Sequence, residues 1–177
     1  MTDRDRMPDP SRLLPHLPAN SALIIRDRNP LAAQRMVEEL GEPCRRHNVL
    51  VILSCSRPPP TLSCDGVHIP EMALAHWRVC DLQRLQPGLL TASAHSPRAI
   101  RRAAWAGCDA AIVSPIFATK SHPAGPTLGF NRFARMVRNA SLPIIALGGI
   151  ETGDIRRIMH SGSHGIAGIG LFSALLD

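Results

Sequence analysis

The sequence predicts an α/β fold in which parallel strands are covered by helices. Two observations carry that expectation. Seven short runs of apolar, β-branched or small residues recur along 177 residues, and helical patterns separate most of them with short connections. A third observation, glycines at the ends of the last two runs, bears on which α/β architecture is present.

The runs "SALIIR" (21–26) and "VLVILS" (49–54) read as buried strands, being continuously apolar rather than alternating. Between them, Leu31, Met36, Val37 and Leu40 fall near helical spacing, with Asn29 suited to cap the helix and Pro30 to its first turn. "DGVHI" (65–69) and "LLTASAH" (89–95) are the next strands. Ser96-Pro97 starts a helix through "RAIRRAAWA", and Gly107 closes it. "DAAIVS" (109–114) is a strand and "NRFARMVRNA" (131–140) a helix. "LPIIALGG" (142–149) is a strand, Thr152 is placed to cap "GDIRRIMHS", and "GIAGIGLF" (165–172) is the last strand.

The length suits one domain, with residues 1–20 as an N-terminal segment and 21–177 as the folded unit. Apolar residues make up 45% and charged residues 19%, an ordinary balance for a soluble globular chain. No apolar run reaches the roughly 18 residues of a membrane span, and "MTDRDRMPDP" has no signal-peptide core. A cytoplasmic protein with no membrane partner is expected. Five scattered cysteines without a CxxC pair read as reduced thiols, most of them small buried hydrophobes. The net charge of +6 is spread over helices as "CRRH", "PRAIRRA" and "DIRRIMH", and with 3% aromatics and no Tyr the chain lacks stacking surfaces for nucleic acid. Small anionic substrates fit the excess of positive charge better.

The strand–helix alternation fits either a doubly wound sheet or a (β/α)8 barrel, and both gather functional groups at the C-terminal ends of strands. At one such end hangs a long polar loop, from Pro115 to Gly129 within "AAIVSPIFATKSHPAGPTLGF", where Thr119, Lys120, Ser121 and His122 offer donors to an anion. Gly148 and Gly149 end one strand just before a helix, and Gly168 and Gly170 end another. Glycine lets backbone N–H groups approach an oxyanion closely, and glycine turns after the last two strands form the phosphate cup of many barrels. A GxGxxG fingerprint is absent from the first βα turn, which disfavours a dinucleotide fold.

"SPIFATKSHPAGPTLGF", followed by "PIIALGGI" and "GIAGIGLF", resembles the thiamine phosphate synthase family, and "DGVHI" and "SAHS" match two further family signatures in order. The resemblance implies a TIM (β/α)8 barrel that joins hydroxymethylpyrimidine diphosphate to thiazole phosphate with release of diphosphate and help from Mg2+. Its close relative, the thiazole tautomerase (TenI) branch, shares the thiazole phosphate pocket and isomerises the thiazole without a metal. By the same resemblance Gly148, Gly149, Ile169 and Gly170 hold the thiazole phosphate through backbone amides. Thr119, Lys120, Ser121 and His122 close over the substrates, standing where the family has Thr-x-Thr-Lys.

The departures from the family bear on chemistry. Where the family's diphosphate-binding strand reads Gln-x-Arg-x-Lys, this chain has Ile24, Arg26 and Arg28; both cations survive, and Arg can grip diphosphate oxygens bidentately. Where the family ends the next strand in Asn-Asp, the aspartate being a metal ligand, this chain has Ser54-Cys55. A second metal carboxylate is replaced by Ala73, with Glu71 the nearby candidate. Mg2+ prefers hard oxygen ligands. For catalysis, His95 in "SAHS" has the pKa range for proton transfer at neutral pH, and the resemblance adds Ser93 near the reacting groups. A rim hydrogen bond or a helix cap explains His95 equally well, and His68 reads as structural or as a rim contact.

The family barrel opens with an apolar strand ending in Thr-Asp, and here Thr2-Asp3 occupies that ending with the strand itself missing. Seven strands leave edges to be covered or paired. A late-called start, a gap filled by the N-terminal segment or another chain, and a degenerate relative all explain this; a longer native N-terminus is the working expectation. The functional expectation is a thiamine biosynthesis enzyme acting on small phosphorylated substrates, with homo-oligomerisation compatible with it. A TenI-like tautomerase and a non-catalytic thiazole or thiamine phosphate-binding protein are the alternatives.

Overall fold

The computed structural model describes residues 1–2, 7–119 and 125–173, with side chains as far as Phe172. The chain runs β1 (Ala22–Ile25), α1 (Pro30–Arg46), β2 (Leu50–Ser54), β3 (Gly66–Ile69), α2 (Val79–Leu85), β4 (Leu89–Ala94), α3 (Pro97–Trp105), β5 (Ala110–Val113), α4 (Gly129–Arg138), β6 (Ile144–Leu147), α5 (Ile155–His160), β7 (Gly165–Ala167) and α6 (Gly170–Ser173). All seven strands pair in parallel and in sequence order, β1 to β7. A doubly wound sheet reverses its strand order partway. This one never does, so the sheet is an open, curled half-barrel of seven strands in TIM-type order.

Alternation of side chains divides the core into two faces. Outward residues pack under the helices: Leu23, Ile25 and Val51 against Val37, Leu40 and Cys44 of α1, and Ala111, Val113 and Ile144 against Phe133 and Met136 of α4. Inward residues Ile24, Ile52 and Ile112 form the lumen with Met1, Leu89, Ile145 and Leu147 around them. The bottom of the sheet is pinned pairwise. Asp65, before β3, accepts the Val51 N–H at 2.7 Å, and Asp109, before β5, accepts the Leu90 N–H at 2.7 Å. Ser163, before β7, donates its hydroxyl to the Ile144 carbonyl at 3.1 Å.

The free edge of β1 is not bare. Ser21 presents its carbonyl to Leu50 of β2, so strand alternation turns the Ile24 carbonyl to the opposite edge. There Thr2 donates its N–H to Ile24 at 2.8 Å, and its hydroxyl oxygen accepts the Arg26 N–H at 2.9 Å.

Asn29 and Pro30 start α1 as expected, the Asn29 carboxamide accepting from Leu31 N–H at 3.0 Å. Ser96 caps α3, and Gly107 follows that helix at φ +78°. Four expectations need correction. Leu31 lies outside the buried stripe of α1, at 67% exposure, because Ala33, Val37, Leu40 and Cys44 face the sheet instead. The last strand stops at Ala167, since the chain turns into α6 at Gly170 and Leu171 packs from a helix. Thr152 lies inside a 3-10 turn rather than capping it; the Asp154 carboxylate accepts the Glu151 N–H at 3.1 Å. Helix α4 begins at Gly129, two residues early. The β3–β4 connection also carries an unforeseen 3-10 turn, Glu71–His76, and α2, which buries no residue fully. Cys44 and Cys108 are buried hydrophobes, Cys55 and Cys64 half-buried, and Cys80 exposed.

Candidate active site

The C-terminal ends of β5 and β6 are laced together. After the cis Ser114–Pro115 bond, Ile116 N–H donates to Leu147 at 3.1 Å and Phe117 N–H to Gly148 at 3.0 Å. The far end of the polar loop returns to the same place: Leu128 N–H donates to Pro115 and Gly129 N–H to Ile116. This lacing requires glycine at both late positions. A Cβ on Gly148 would stand 2.8 Å from Pro115 Cα, and one on Gly149 2.3 Å from the Ala118 carbonyl oxygen. Both residues also hold positive φ, +100° and +66°. Gly170 opens α6 directly after Ile169. Thr119 is half-buried in this shoulder, while Lys120, Ser121 and His122 lie outside the described residues.

Below the rim the lumen turns polar. His68, on β3 and 1% exposed, lies between two hydroxyls of β4, with Nδ1 2.9 Å from Thr91 Oγ1 and Nε2 2.8 Å from Ser93 Oγ. Burial pushes its pKa down to about 4, and the positive charges of the Met1 amino group and Arg26 push the same way. The imidazole is therefore neutral at neutral pH. Ser93 was expected near the reacting groups, but its grouping with His68 and Thr91 was not. Its signal was the polar residues Thr91 and Ser93 two apart in an otherwise apolar strand, facing a lone histidine in the next strand.

His95 stands apart from this cluster. It is exposed at the rim, its backbone N–H donating to Glu71 Oε2 at 2.8 Å and its ring Nδ1 lying 2.7 Å from the Ser114 carbonyl. A carbonyl only accepts, so His95 Nδ1 carries the proton. Of the roles open to His95, the rim hydrogen bond is the one observed, and Ser96 does the helix capping. Ser93 pairs with His68, not with His95. Arg26 and Arg28 are exposed just beyond β1, and Asp27 between them accepts the Asn29 N–H.

The residues at the family's metal position do not fit Mg2+. Burial, reinforced by Cys64, pushes the Cys55 thiol up to about 12, so it is neutral and a poor ligand for a hard cation. Glu71 already commits one oxygen to His95, and Ala73 offers none. Among the described residues no three His, Cys, Asp or Glu side chains gather to hold a metal. A groove of about 330 Å3, lined by Ile100, Arg101, Arg132, Arg135 and Met136, lies between α3 and α4. Among the described residues no helix is long and apolar enough to cross a membrane.

Comparison with known proteins bears on this arrangement. Residues 17–172 match the family described as thiamine monophosphate synthase. The thiamine-phosphate synthase of Chloroflexus aurantiacus is 32% identical over 165 residues, covering 88% of this chain and 74% of that protein. That of Methanoculleus marisnigri is 36% identical over 106 residues, covering 58% of this chain and 49% of that protein. For several curated relatives the match spans only about half of their length or less. The solved thiamine phosphate pyrophosphorylase from Pyrococcus furiosus superposes with a TM-score of 0.71 at 20% identity, over 93% of this chain and 81% of that one, which shows a shared fold.

Proposed function

We propose, from the premise that this chain belongs to the thiamine monophosphate synthase family, that it is a cytoplasmic transferase of thiamine assembly. It holds thiazole phosphate at the C-terminal mouth of the barrel and joins it to hydroxymethylpyrimidine diphosphate, releasing diphosphate. The observation that carries this reading is the family match across residues 17–172, which takes in the laced glycine corner and the polar loop sequence.

In this reading Gly148, Gly149, Ile169 and Gly170 hold the thiazole phosphate through backbone amides. Thr119, Lys120, Ser121 and His122 fold over the substrates. Arg26 and Arg28 hold the diphosphate, a task that planar guanidinium groups perform without a metal. Ser93 contacts the reacting groups from below. Because Cys55, Ala73 and Glu71 do not fit Mg2+, charge on the departing diphosphate is balanced by these arginines.

That same misfit favours a second reading, a TenI-like isomerase of the thiazole, or a protein that binds thiazole or thiamine phosphate without turnover. The Nδ1–H form of His95 directs Nε2 away from Ser114, the arrangement a proton-transfer group needs. Incubation with both substrates over a range of Mg2+ concentrations, following thiamine phosphate, separates the two. Product formation supports the transferase. No product at any Mg2+ concentration, together with a thermal shift on adding thiazole phosphate, removes it in favour of the second reading.

A further inference from the structure

We propose that the groove between α3 and α4 is a docking site for an acidic peptide segment of a partner protein, one that sets an apolar side chain between carboxylates.

The charge on these two helices has one sign. Helix α3, PRAIRRAAW, carries three arginines and no carboxylate, and α4, GFNRFARMVR, carries three more and again no carboxylate. Helix α1, by contrast, interleaves three glutamates with its three arginines and ties Glu42 to Arg45 and Arg46. Helix α3 leads into β5 and α4 follows it, so the two stand side by side. Arg101 lines one wall of the groove, and Arg132 and Arg135 line the other. All three are exposed and make no ion pair among the described residues. Like charges held this close repel one another. An anion between them relieves that repulsion and gains bidentate guanidinium–carboxylate contacts.

The floor of the groove is hydrocarbon. Ile100 and Met136, members of one core cluster, meet there, and the volume of about 330 Å3 has room for a side chain the size of leucine. That combination of walls and floor selects among anions. A second copy of this chain would bring the same arginine rows and a net charge of +6. A nucleic acid strand needs rings to stack on, and no aromatic side chain lines the groove. A bilayer takes up apolar side chains that project, whereas Ile100 and Met136 are recessed at 2% and 5% exposure. A peptide with glutamates on either side of a leucine satisfies both features at once. Trp105, one turn beyond Arg101 on the same side of α3 and 85% exposed, offers such a peptide a further apolar contact.

The test is fluorescence anisotropy of a labelled Glu-Glu-Leu-Glu-Glu peptide titrated with the full chain at about 50 mM salt, where screening is weak. Saturable binding is expected, and replacing the leucine by serine should weaken it about tenfold. Arg101→Glu combined with Arg135→Glu should weaken it by more than about tenfold. The same charge change at Arg12 and Arg57, exposed and outside the groove, should alter it by less than about threefold. Arg101→Gln with Arg135→Gln, which adds no carboxylate, should show the same loss in smaller measure and replaces the reversal if urea unfolding shows that variant to be unfolded. Equal losses from the groove pair and the distant pair, or indifference to the leucine, would mean long-range attraction alone and overturn the proposal. Tighter binding of an oligothymidylate or of phosphatidylserine vesicles than of the peptide overturns it in favour of a phosphate ligand. A titration that never saturates overturns it outright.

Discussion

Acidification should loosen the fold through His68, and the size of the effect follows from its burial. The unfolded imidazole takes a proton near pH 6.5, whereas in the folded barrel it does so only near 4. Between those values the unfolded chain binds a proton that the native chain refuses, so stability falls as pH is lowered. The contribution is whole above 6.5, shrinks steadily from 6.5 to 4, and is gone below 4. Each pH unit of displacement is worth about 1.4 kcal/mol, so the interval amounts to about 3 kcal/mol. That is a sizeable share of the 5–15 kcal/mol typical of a domain. The measurement is urea unfolding at half-unit steps across this range, for the native sequence and for His68→Gln, whose amide does not titrate. Titrations of groups that do not interact with His68 are common to both proteins and cancel in the difference. The difference should close by about 3 kcal/mol as pH falls from 6.5 to 4. Parallel curves would refute the claim that His68 is held neutral.

Other substitutions test the packing and the site. Gly149→Ala should cost about 3 kcal/mol in chemical denaturation, combining left-handed strain with a Cβ forced against the Ala118 carbonyl. Gly107→Ala, at φ +78° with nothing within 4 Å, should cost only about 1 kcal/mol; equal costs would mean the glycine corner is not tightly laced. Phe133→Ala, in the fully buried heart of the α4 interface, should lose about 3–5 kcal/mol by the same assay. Asp65→Ala removes the acceptor for Val51 N–H and should lower the urea midpoint by the equivalent of about 1–2 kcal/mol. Cys55→Asp should create Mg2+-dependent stabilisation in a thermal melt that the native sequence lacks, and an Mg2+ response in the native sequence would contradict the neutral thiol.

Strands were legible because parallel strands buried on both faces leave continuous apolar runs, as in "LVILS" and "AAIV". Helix α1 was legible from its cap, Asn29-Pro30. Helix α2 was not, because it buries no residue fully and so shows no apolar stripe. The overlong last strand has the opposite cause: Leu171 and Phe172 are apolar, but apolarity alone does not distinguish a strand from the first turn of a packed helix. At the site, the glycine pairs and polar loop were readable because each is contiguous in sequence. The contacts between His68 and Ser93 and between His95 and Ser114 were not, since they depend on register between strands 25 and 19 residues apart.

The glycine corner is where fold and function are hardest to separate. Gly148 and Gly149 would be required even in a barrel that bound nothing, because the β5 shoulder presses its backbone against them. Their presence alone is thus weak support for a phosphate site. What tips the balance is the company they keep. A purely structural corner has no use for a polar lumen beneath it, yet Thr91, His68 and Ser93 take three positions that hydrocarbon would fill more favourably. Nor does it need two exposed arginines, Arg26 and Arg28, just beyond β1, where among the described residues no metal-binding cluster gathers. The proposed function gives these cations and the lumen hydroxyls one common use, an anion with an organic ring attached. Within that proposal, joining and isomerising the ring part at whether arginine can neutralise a leaving diphosphate unaided, and the Mg2+ titration reads that difference directly.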